Sequence, residues 1–312
     1  MQTILGAGGS ISTELAKSLK YFTDQIRLAG RNPKKVNDGD HLFPADLTDR
    51  DQVFNAVTGS DIVYLTIGLE YNTKVWQQLW PPLMQNVIDA CIANKAKLVF
   101  FDNVYAVGGD FVSRITEDSP ISPTSRKGEI RAQIDLTLLE QMNAGTIQAI
   151  IARAPDFYGG NIEKSMVMTV IYKNFLEGKK AQWLFNSKVK HSYIYVPDAG
   201  KATALLGNTP AVYNQIWNLP TDRNSLNGEQ MINLFAKEMG KSDNYQLIPA
   251  WMVRILGLFI PFMKELYEMR YQFDRAYFFD STKFENYFNF KPTSYADGIK
   301  EIVSKSGDKV NQ

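Results

Sequence analysis

Thr3-Ile4-Leu5-Gly6-Ala7-Gly8-Gly9-Ser10-Ile11-Ser12-Thr13-Glu14-Leu15-Ala16-Lys17-Ser18-Leu19 stands at the start of the chain and decides the reading of its fold. The apolar run from Thr3 to Leu5 reads as a buried strand. Gly6, Gly8 and Gly9 make a tight turn, and Ile11, Leu15 and Leu19 then recur at helical spacing. Strand, glycine turn and helix in that order form the phosphate-binding part of a βαβ unit. Glycine serves there because the backbone turns sharply and must approach a diphosphate with no Cβ in between. The helix N-terminus offers that anion its amide N–H groups and the positive end of its dipole. The spacing is Gly6-x-x-Gly9-x-x-Ser12, with Ser12 as the small residue where helix meets strand. Gly6, Gly9, Ser10, Ile11 and Ser12 are the expected cofactor contacts. The competing reading is a tight turn with no phosphate to hold.

Outward from this stretch, strands and helices alternate. Gln25–Ala29 reads as a second strand, ending at Gly30-Arg31-Asn32-Pro33. A site for NAD usually has an Asp or Glu here for the ribose 2′-hydroxyl. None occurs from Gln25 to Lys35, whereas Arg31, Lys34 and Lys35 do. A guanidinium grips a phosphate bidentately, so Arg31 points to NADP, with NAD as second choice and Asn32 beside it as a further expected cofactor contact. A merely solvated basic turn is the alternative. Leu42–Ala45 is a short third strand, followed by Asp46-Leu47-Thr48-Asp49 and a helix over 50–58. Asp46 lies where a carboxylate meets an adenine amino group. Asp61–Thr66 is a fourth strand, and Thr66-Ile67-Gly68 again permits close backbone approach. A long helical region over 72–94 is punctuated by Pro81 and Pro82, and Lys97–Asp102 is a fifth, wholly apolar-cored strand. A helix over 127–143 and a sixth strand over 147–153 complete the alternation. This pattern predicts an α/β fold with a parallel, doubly wound, Rossmann-type sheet. The reading divides the chain into a dinucleotide-binding domain over 1–160 and a small α+β substrate lobe over 161–312, part of which returns to the core.

Composition narrows the classes. The chain has 312 residues, 45% hydrophobic and 21% charged, as an ordinary globular protein has. Its net charge of +1 gives no electrostatic case for nucleic acid or an anionic membrane. One cysteine, Cys91, and two histidines, His41 and His191, argue against disulfides and a metal site. A strand at the very start leaves no room for a signal peptide, and the apolar run over 251–263 is too short and broken to span a bilayer. A cytoplasmic location with a small-molecule substrate is expected.

The ordered set Gly6-x-x-Gly9, Asp46-Leu47-Thr48-Asp49, Arg153-Ala154-Pro155-Asp156-Phe157-Tyr158-Gly159, Tyr193-Ile194-Tyr195-Val196-Pro197-Asp198, Ile216-Trp217-Asn218-Leu219 and Asn289-Phe290-Lys291-Pro292 resembles the short-chain dehydrogenase/reductase superfamily. It is most similar to the extended or atypical branch of epimerase/dehydratase-like proteins, nearly end to end. The resemblance implies an NAD(P)-dependent oxidoreductase or epimerase-like enzyme on a small carbonyl, hydroxyl or nucleotide-sugar-like substrate. It adds Leu47, Pro155 and Phe157 to the expected cofactor contacts. It also implies a Tyr-x-x-x-Lys pair, and here the chain departs. Lys127 stands for the tyrosine, Arg131 for the lysine that holds the nicotinamide ribose, and Asn103 for the active-site serine. A sub-branch resembling isoflavone reductases uses a lysine near this helix start for proton transfer, which makes Lys127 the first catalytic candidate. Like charges one turn apart disfavour each other, which suits a lysine to that task. Tyr105, in the loop after the fifth strand, is the second candidate, against a role as an aromatic roof. The missing tyrosine equally fits a dinucleotide-binding regulator that has lost catalysis. The helices over 72–94 and 127–143 form a common dimer face in proteins of this type, so a monomer or homodimer is expected.

Overall fold

The computed structural model describes residues 1–160 and 165–310, the last five of them as backbone alone. The expected domain boundary at 160/161 falls at the edge of the undescribed 161–164. Contacts divide the chain into two units. The first comprises Met1–Val107, Pro120–Ala154 and Pro197–Leu219, and the second Gly108–Ser119, Pro155–Val196 and Pro220–Gln312.

In chain order the elements up to the end of the sixth strand are β1 (Gln2–Leu5), α1 (Ser10–Leu19), β2 (Ile26–Gly30), β3 (His41–Pro44), α2 (Arg50–Val57), β4 (Ile62–Leu65), α3 (Thr73–Asn94), β5 (Lys97–Asn103), α4 (Arg126–Asn143) and β6 (Ala149–Ala154). There follow β7 (Asp156–Tyr158), α5 (Asn174–Leu176), β8 (Ala181–Leu184), β9 (Lys190–His191), β10 (Tyr193–Tyr195), α6 (Val196–Gly207), β11 (Gln215–Asn218), β12 (Leu226–Asn227) and α7 (Gly228–Met239). The last are β13 (Tyr245–Ile248), α8 (Ala250–Leu256), α9 (Pro261–Glu268), α10 (Thr282–Phe288) and α11 (Tyr295–Val310).

The first unit is a seven-stranded parallel sheet in the order β11-β6-β5-β4-β1-β2-β3, the doubly wound architecture that the alternation predicts. Side chains alternate across it. Leu5, Val63, Leu65, Leu98, Phe100, Ala149 and Ile151 join one core with α2, α3 and α4. On β4, Tyr64 donates its hydroxyl proton to Gln2 Oε1 at 2.8 Å and accepts from Asn208 at the end of α6. Gly207 lies so close beneath Tyr64 that a Cβ would stand 2.2 Å from the phenol oxygen. Capping sets the helix starts: Asn72 Oδ1 accepts from the Lys74 and Val75 amides, and Ser125 Oγ from Gly128. α3 runs for 22 residues straight through Pro81 and Pro82. Burial of Trp80, Leu83, Met84 and Val87 offsets the backbone bonds that the prolines remove.

Among its described residues the second unit has three two-stranded ladders, β7/β10 and β8/β13 parallel and β9/β12 antiparallel. Its main core joins Tyr158, Tyr172, Phe175, Trp183, Tyr193, Phe235 and Tyr295. Among the described residues no helix is long and apolar enough to cross a membrane.

Candidate functional site

The site lies along the carboxyl ends of the parallel strands in the first unit. β1 pairs with β2 on one side and β4 on the other, so strand order reverses between β1 and β4. Open α/β sheets bind ligands in the crevice at such a point. There Gly6 and Gly8 adopt φ of +99° and +102°. A Cβ on Gly6 would stand 2.6 Å from Cα and N of Ile67, so only glycine lets the turn after β1 pass the turn after β4. The amides of Gly6 and Ala7 donate to Ala29 O at 2.9 and 3.0 Å, pinning the turn to β2. Ser12 is buried, and its Oγ accepts from the Gly9 amide at 2.9 Å. The first intrahelical bond of α1 runs from Thr13 N to Gly9 O, so the amides of Ile11 and Ser12 precede the helical ladder.

The second predicted cluster follows β2 and β3. Arg31 and Asn32 are exposed beyond Gly30. Asp46 Oδ1 accepts from the amide and the hydroxyl of Thr48, at 2.9 and 2.8 Å. These two bonds, with Arg31 as a nearby cation, hold its carboxyl below the usual carboxylate range. Leu47 is buried in the core beside α2. After β4, Thr66 and Ile67 are half-buried and Gly68 is exposed.

The third cluster joins β5, α3 and α4. Lys127 is fully buried in the first turn of α4. Its Nζ donates to Thr73 Oγ1 at 3.0 Å and lies 4.8 Å over the Tyr71 ring. Tyr105 stacks on Trp76 with centroids 6.1 Å apart. Its carbonyl would stand 2.4 Å from a Cβ on Gly128, so glycine after Lys127 brings α4 against the loop after β5. Asn103 Oδ1 accepts from the Tyr105 amide at 3.0 Å and shapes that loop.

Arg131, one turn beyond Lys127, is placed in the core. Its guanidinium donates through Nε and Nη2 to Asp102 Oδ1 and lies 4.5 Å over Trp80 and 5.0 Å over Phe100. Asp102 also lies 3.9 Å from Arg153, which donates to Asp135 Oδ2 at 3.1 Å. Two carboxyl groups and two guanidiniums thus form a buried quartet between β5, β6 and α4. Burial, followed by the charge of Asp102, pushes the Asp135 carboxyl up to about 8. Sequence reasoning missed this quartet, although Arg153 inside the apolar strand Ala149–Ala154 announces a need for a partner.

Pro155 and Phe157 belong to the second unit. Pro155 is buried, and Phe157 is half-buried in β7, its carbonyl accepting from Ser165 Oγ at 2.7 Å. In the same unit His191 stacks on Tyr277 and Phe273, with Nδ1 against Gln272 O and Nε2 against Asp156 Oδ2.

The sequence profile of the NAD dependent epimerase/dehydratase family matches residues 3–219. A search of curated proteins finds no match. Among solved structures the fold is shared with the UDP-N-acetylglucosamine 4-epimerase from Bacillus cereus, at TM-score 0.77 and 16% identity over 97% of this chain and 95% of that one. It is shared with the Thermus thermophilus UDP-glucose 4-epimerase in complex with NAD, at 0.77 and 16% over 97% and 98%. A double mutant of DesIV, the dTDP-glucose 4,6-dehydratase from Streptomyces venezuelae, with NAD and DAU bound, gives 0.81 and 14% over 100% and 98%.

Proposed function

The chain belongs to the NAD dependent epimerase/dehydratase family, and we propose that it is a nicotinamide-dinucleotide-dependent oxidoreductase or epimerase-like enzyme acting on a hydroxyl- or carbonyl-bearing carbon of a small or nucleotide-sugar-like substrate. The glycine cradle carries this reading. A side chain on Gly6 has no room, while the space over Gly8 is open to 4 Å, so the turn is closed towards β4 and open where a diphosphate would lie. The first amides of α1 complement its charge. The residues present therefore fit the cofactor, and two of the solved relatives named above were obtained with NAD bound. We assign the 2′-phosphorylated form, NADP, on Arg31 and its neighbours Lys34 and Lys35, with no carboxylate between Gln25 and Lys35.

In this reading Gly6, Gly9 and Ser10–Ser12 hold the diphosphate, Asp46 the adenine, and Thr66–Gly68 and Asn103 the path of the cofactor across the strand ends. Once bound, the nicotinamide supplies hydride exchange, and the chain's own side chains supply orientation and the proton. Lys127 moves that proton at Nζ. The Thr73 hydroxyl aims the ammonium, and the Tyr71 ring face stabilises its charge. Tyr105, held by Trp76, covers the same end of the sheet.

Titration with NADPH and NADH, followed by fluorescence and thermal shift, tests the reading. NADPH should bind more tightly, and Arg31→Ala should erase the preference. Lys127→Ala should keep NADPH binding and lose turnover across a panel of carbonyl compounds and nucleotide sugars. Failure to bind either dinucleotide removes the reading. Tight binding by wild type with no turnover anywhere on the panel favours a regulator.

A further inference from the structure

Lys127 is cast as the proton-moving group, yet its side chain has no exposed area. A substrate oxygen therefore does not meet Nζ itself, and the proton needs a carrier over the remaining distance. Nζ donates to Thr73 Oγ1 at 3.0 Å. A hydroxyl accepts one hydrogen bond while it donates another, so it passes a proton on where an alkyl group or a carbonyl does not. Thr73 is half-buried, so it touches both the enclosed ammonium and accessible space.

The place of Thr73 in α3 points the same way. Helix capping does not account for its hydroxyl, because Asn72 is the cap and its Oδ1 takes the Lys74 and Val75 amides. A β-branched residue is also a poor helix former. The hydroxyl is engaged instead by α4, 54 positions away in sequence. The loop that presents it is fixed, since Glu70 O accepts from the Asn72 amide and from Trp76 Nε1, both at 2.8 Å. This loop follows the carboxyl end of β4 and continues from Thr66–Gly68. The first turn of α3 holds no acidic residue, so its dipole favours an oxyanion beside Thr73.

Building on the dinucleotide-dependent chemistry put forward above, we propose that Thr73 is a catalytic residue: a hydroxyl relay that carries the proton between buried Lys127 and the oxygen on the substrate's reacting carbon. In the carbonyl-to-hydroxyl direction, the Thr73 O–H bond breaks as its proton goes to the substrate oxygen. An N–H bond of Lys127 breaks as its proton replaces the first one on Oγ1. Thr73 ends unchanged and Lys127 ends as a neutral amine, which regains a proton from water through the same hydroxyl once the product has left. The electron pair travels separately, as the hydride exchanged with the dinucleotide. The opposite direction runs the same transfers backwards. Before transfer, the Tyr71 ring face 4.8 Å from Nζ compensates the enclosed charge.

Two variants of the full-length protein test the relay: Thr73→Val keeps the side chain's shape and removes its hydroxyl, and Thr73→Ser keeps the hydroxyl. The valine variant should bind NADPH as wild type does, hold its KM, and lose about 100- to 10,000-fold in kcat, the usual contribution of a positioned acid–base group. The serine variant should recover most of that loss. The limb of the kcat pH profile that depends on Lys127 should persist with serine and vanish with valine, which a merely structural role does not produce. NMR of protein labelled with 15N-lysine gives a readout that needs no substrate. The Nζ signal identified by its absence in Lys127→Ala should move in the valine variant and keep its place in the serine variant. Thermal melts check folding, and Thr73→Ala replaces the valine variant if that one does not fold. Turnover by the valine variant at the wild-type rate, or an unmoved Nζ signal, overturns the relay; if Lys127→Ala is inactive in that case, Lys127 acts without a carrier. Absence of dinucleotide binding, or full turnover by Lys127→Ala, instead removes the reading on which the relay rests. No turnover by wild type on any carbonyl compound or nucleotide sugar overturns the relay as well, in favour of a regulator.

Discussion

Replacing Asp102 by Asn perturbs the quartet at its centre. Asp102 and Arg153 have no exposed side-chain area, and Arg131 has 3%. The substitution leaves two buried guanidiniums facing one carboxyl, Asp135. Removing one member of a buried pair costs about 3–5 kcal/mol, because the partner stays desolvated and uncompensated. At about 2–4 °C per kcal/mol for a chain of this size, the melting temperature should fall by roughly 6–20 °C. The pH dependence gives a second readout. In wild type the folded chain holds the Asp135 proton up to about 8, whereas the unfolded chain releases it in the ordinary carboxylate range. That group's stabilising proton is fully in place below the unfolded value, and stability falls as pH rises towards the folded one, by at most about 1.4 kcal/mol per pH unit. Without the Asp102 charge, Asp135 ionises more readily to balance the two arginines. The variant should therefore lose less further stability than wild type between pH 5.5 and 7.5. Urea melts at the two pH values measure both effects. The double variant Asp102→Leu/Arg131→Met removes a matched pair, leaves Arg153 with Asp135, and should be less damaging than Asp102→Asn alone. A melting shift under about 2 °C, equal pH slopes, or a double variant worse than the single refutes the reasoning.

The glycine turn gives a graded pair. Gly8→Ala meets only a left-handed backbone and should cost about 1–2 kcal/mol, whereas Gly6→Ala also drives a Cβ into the Ile67 backbone at 2.6 Å and should melt lower still and lose NADPH binding. For Asp46, whose carboxyl is lowered by the Thr48 amide and hydroxyl, the contribution is present above the usual carboxylate range and lost as pH falls through the lowered value. Asp46→Ala should accordingly flatten the acid limb of the stability profile in thermal melts. Burial pushes the Cys91 thiol far up. It should resist an aromatic disulfide reagent in the native protein and react at once in guanidinium chloride; fast native labelling would contradict its place in the core.

The parallel core is legible in the sequence because its central strands are short and apolar and because β1, β3, β4 and β5 are each followed by a helix. The helix read over 72–94 begins one residue later, at Thr73, since Asn72 is its cap. The prolines that punctuate it on paper do not break it. Less legible is how 197–219 completes the sheet. β11 is recognisable as a strand, but its parallel register against β6, from Gln215 beside Ile150 to Asn218 beside Arg153, depends on a partner about sixty residues away. The third cluster is illegible for the same reason. Thr73 and Lys127 are 54 positions apart, and nothing near either residue records the other. Asp102 reads as a strand-end carboxylate with no duty until Arg131 and Arg153 are seen to close on it.

That closure changes how the two basic residues of α4 divide their work. On paper Lys127 and Arg131 are like charges on one helix face. In the fold the guanidinium of Arg131 is matched by Asp102 and sandwiched against Trp80 and Phe100. It is a neutralised pair rather than a bare cation. An arginine keeps its proton at any working pH, and its fork reaches one carboxylate oxygen through two nitrogens, which a lysine in its place does not do. Arg131 is thereby suited to fixing α4 against the ends of β5 and β6. Lys127, one turn nearer the N-terminus, sits where that fixed helix brings it to Thr73 and Tyr71. Of the two, only the lysine can exchange a proton. Where the resemblance implies a tyrosine and a lysine, the chain thus carries a buried lysine held by Thr73 and Tyr71 and a buried arginine paired with Asp102.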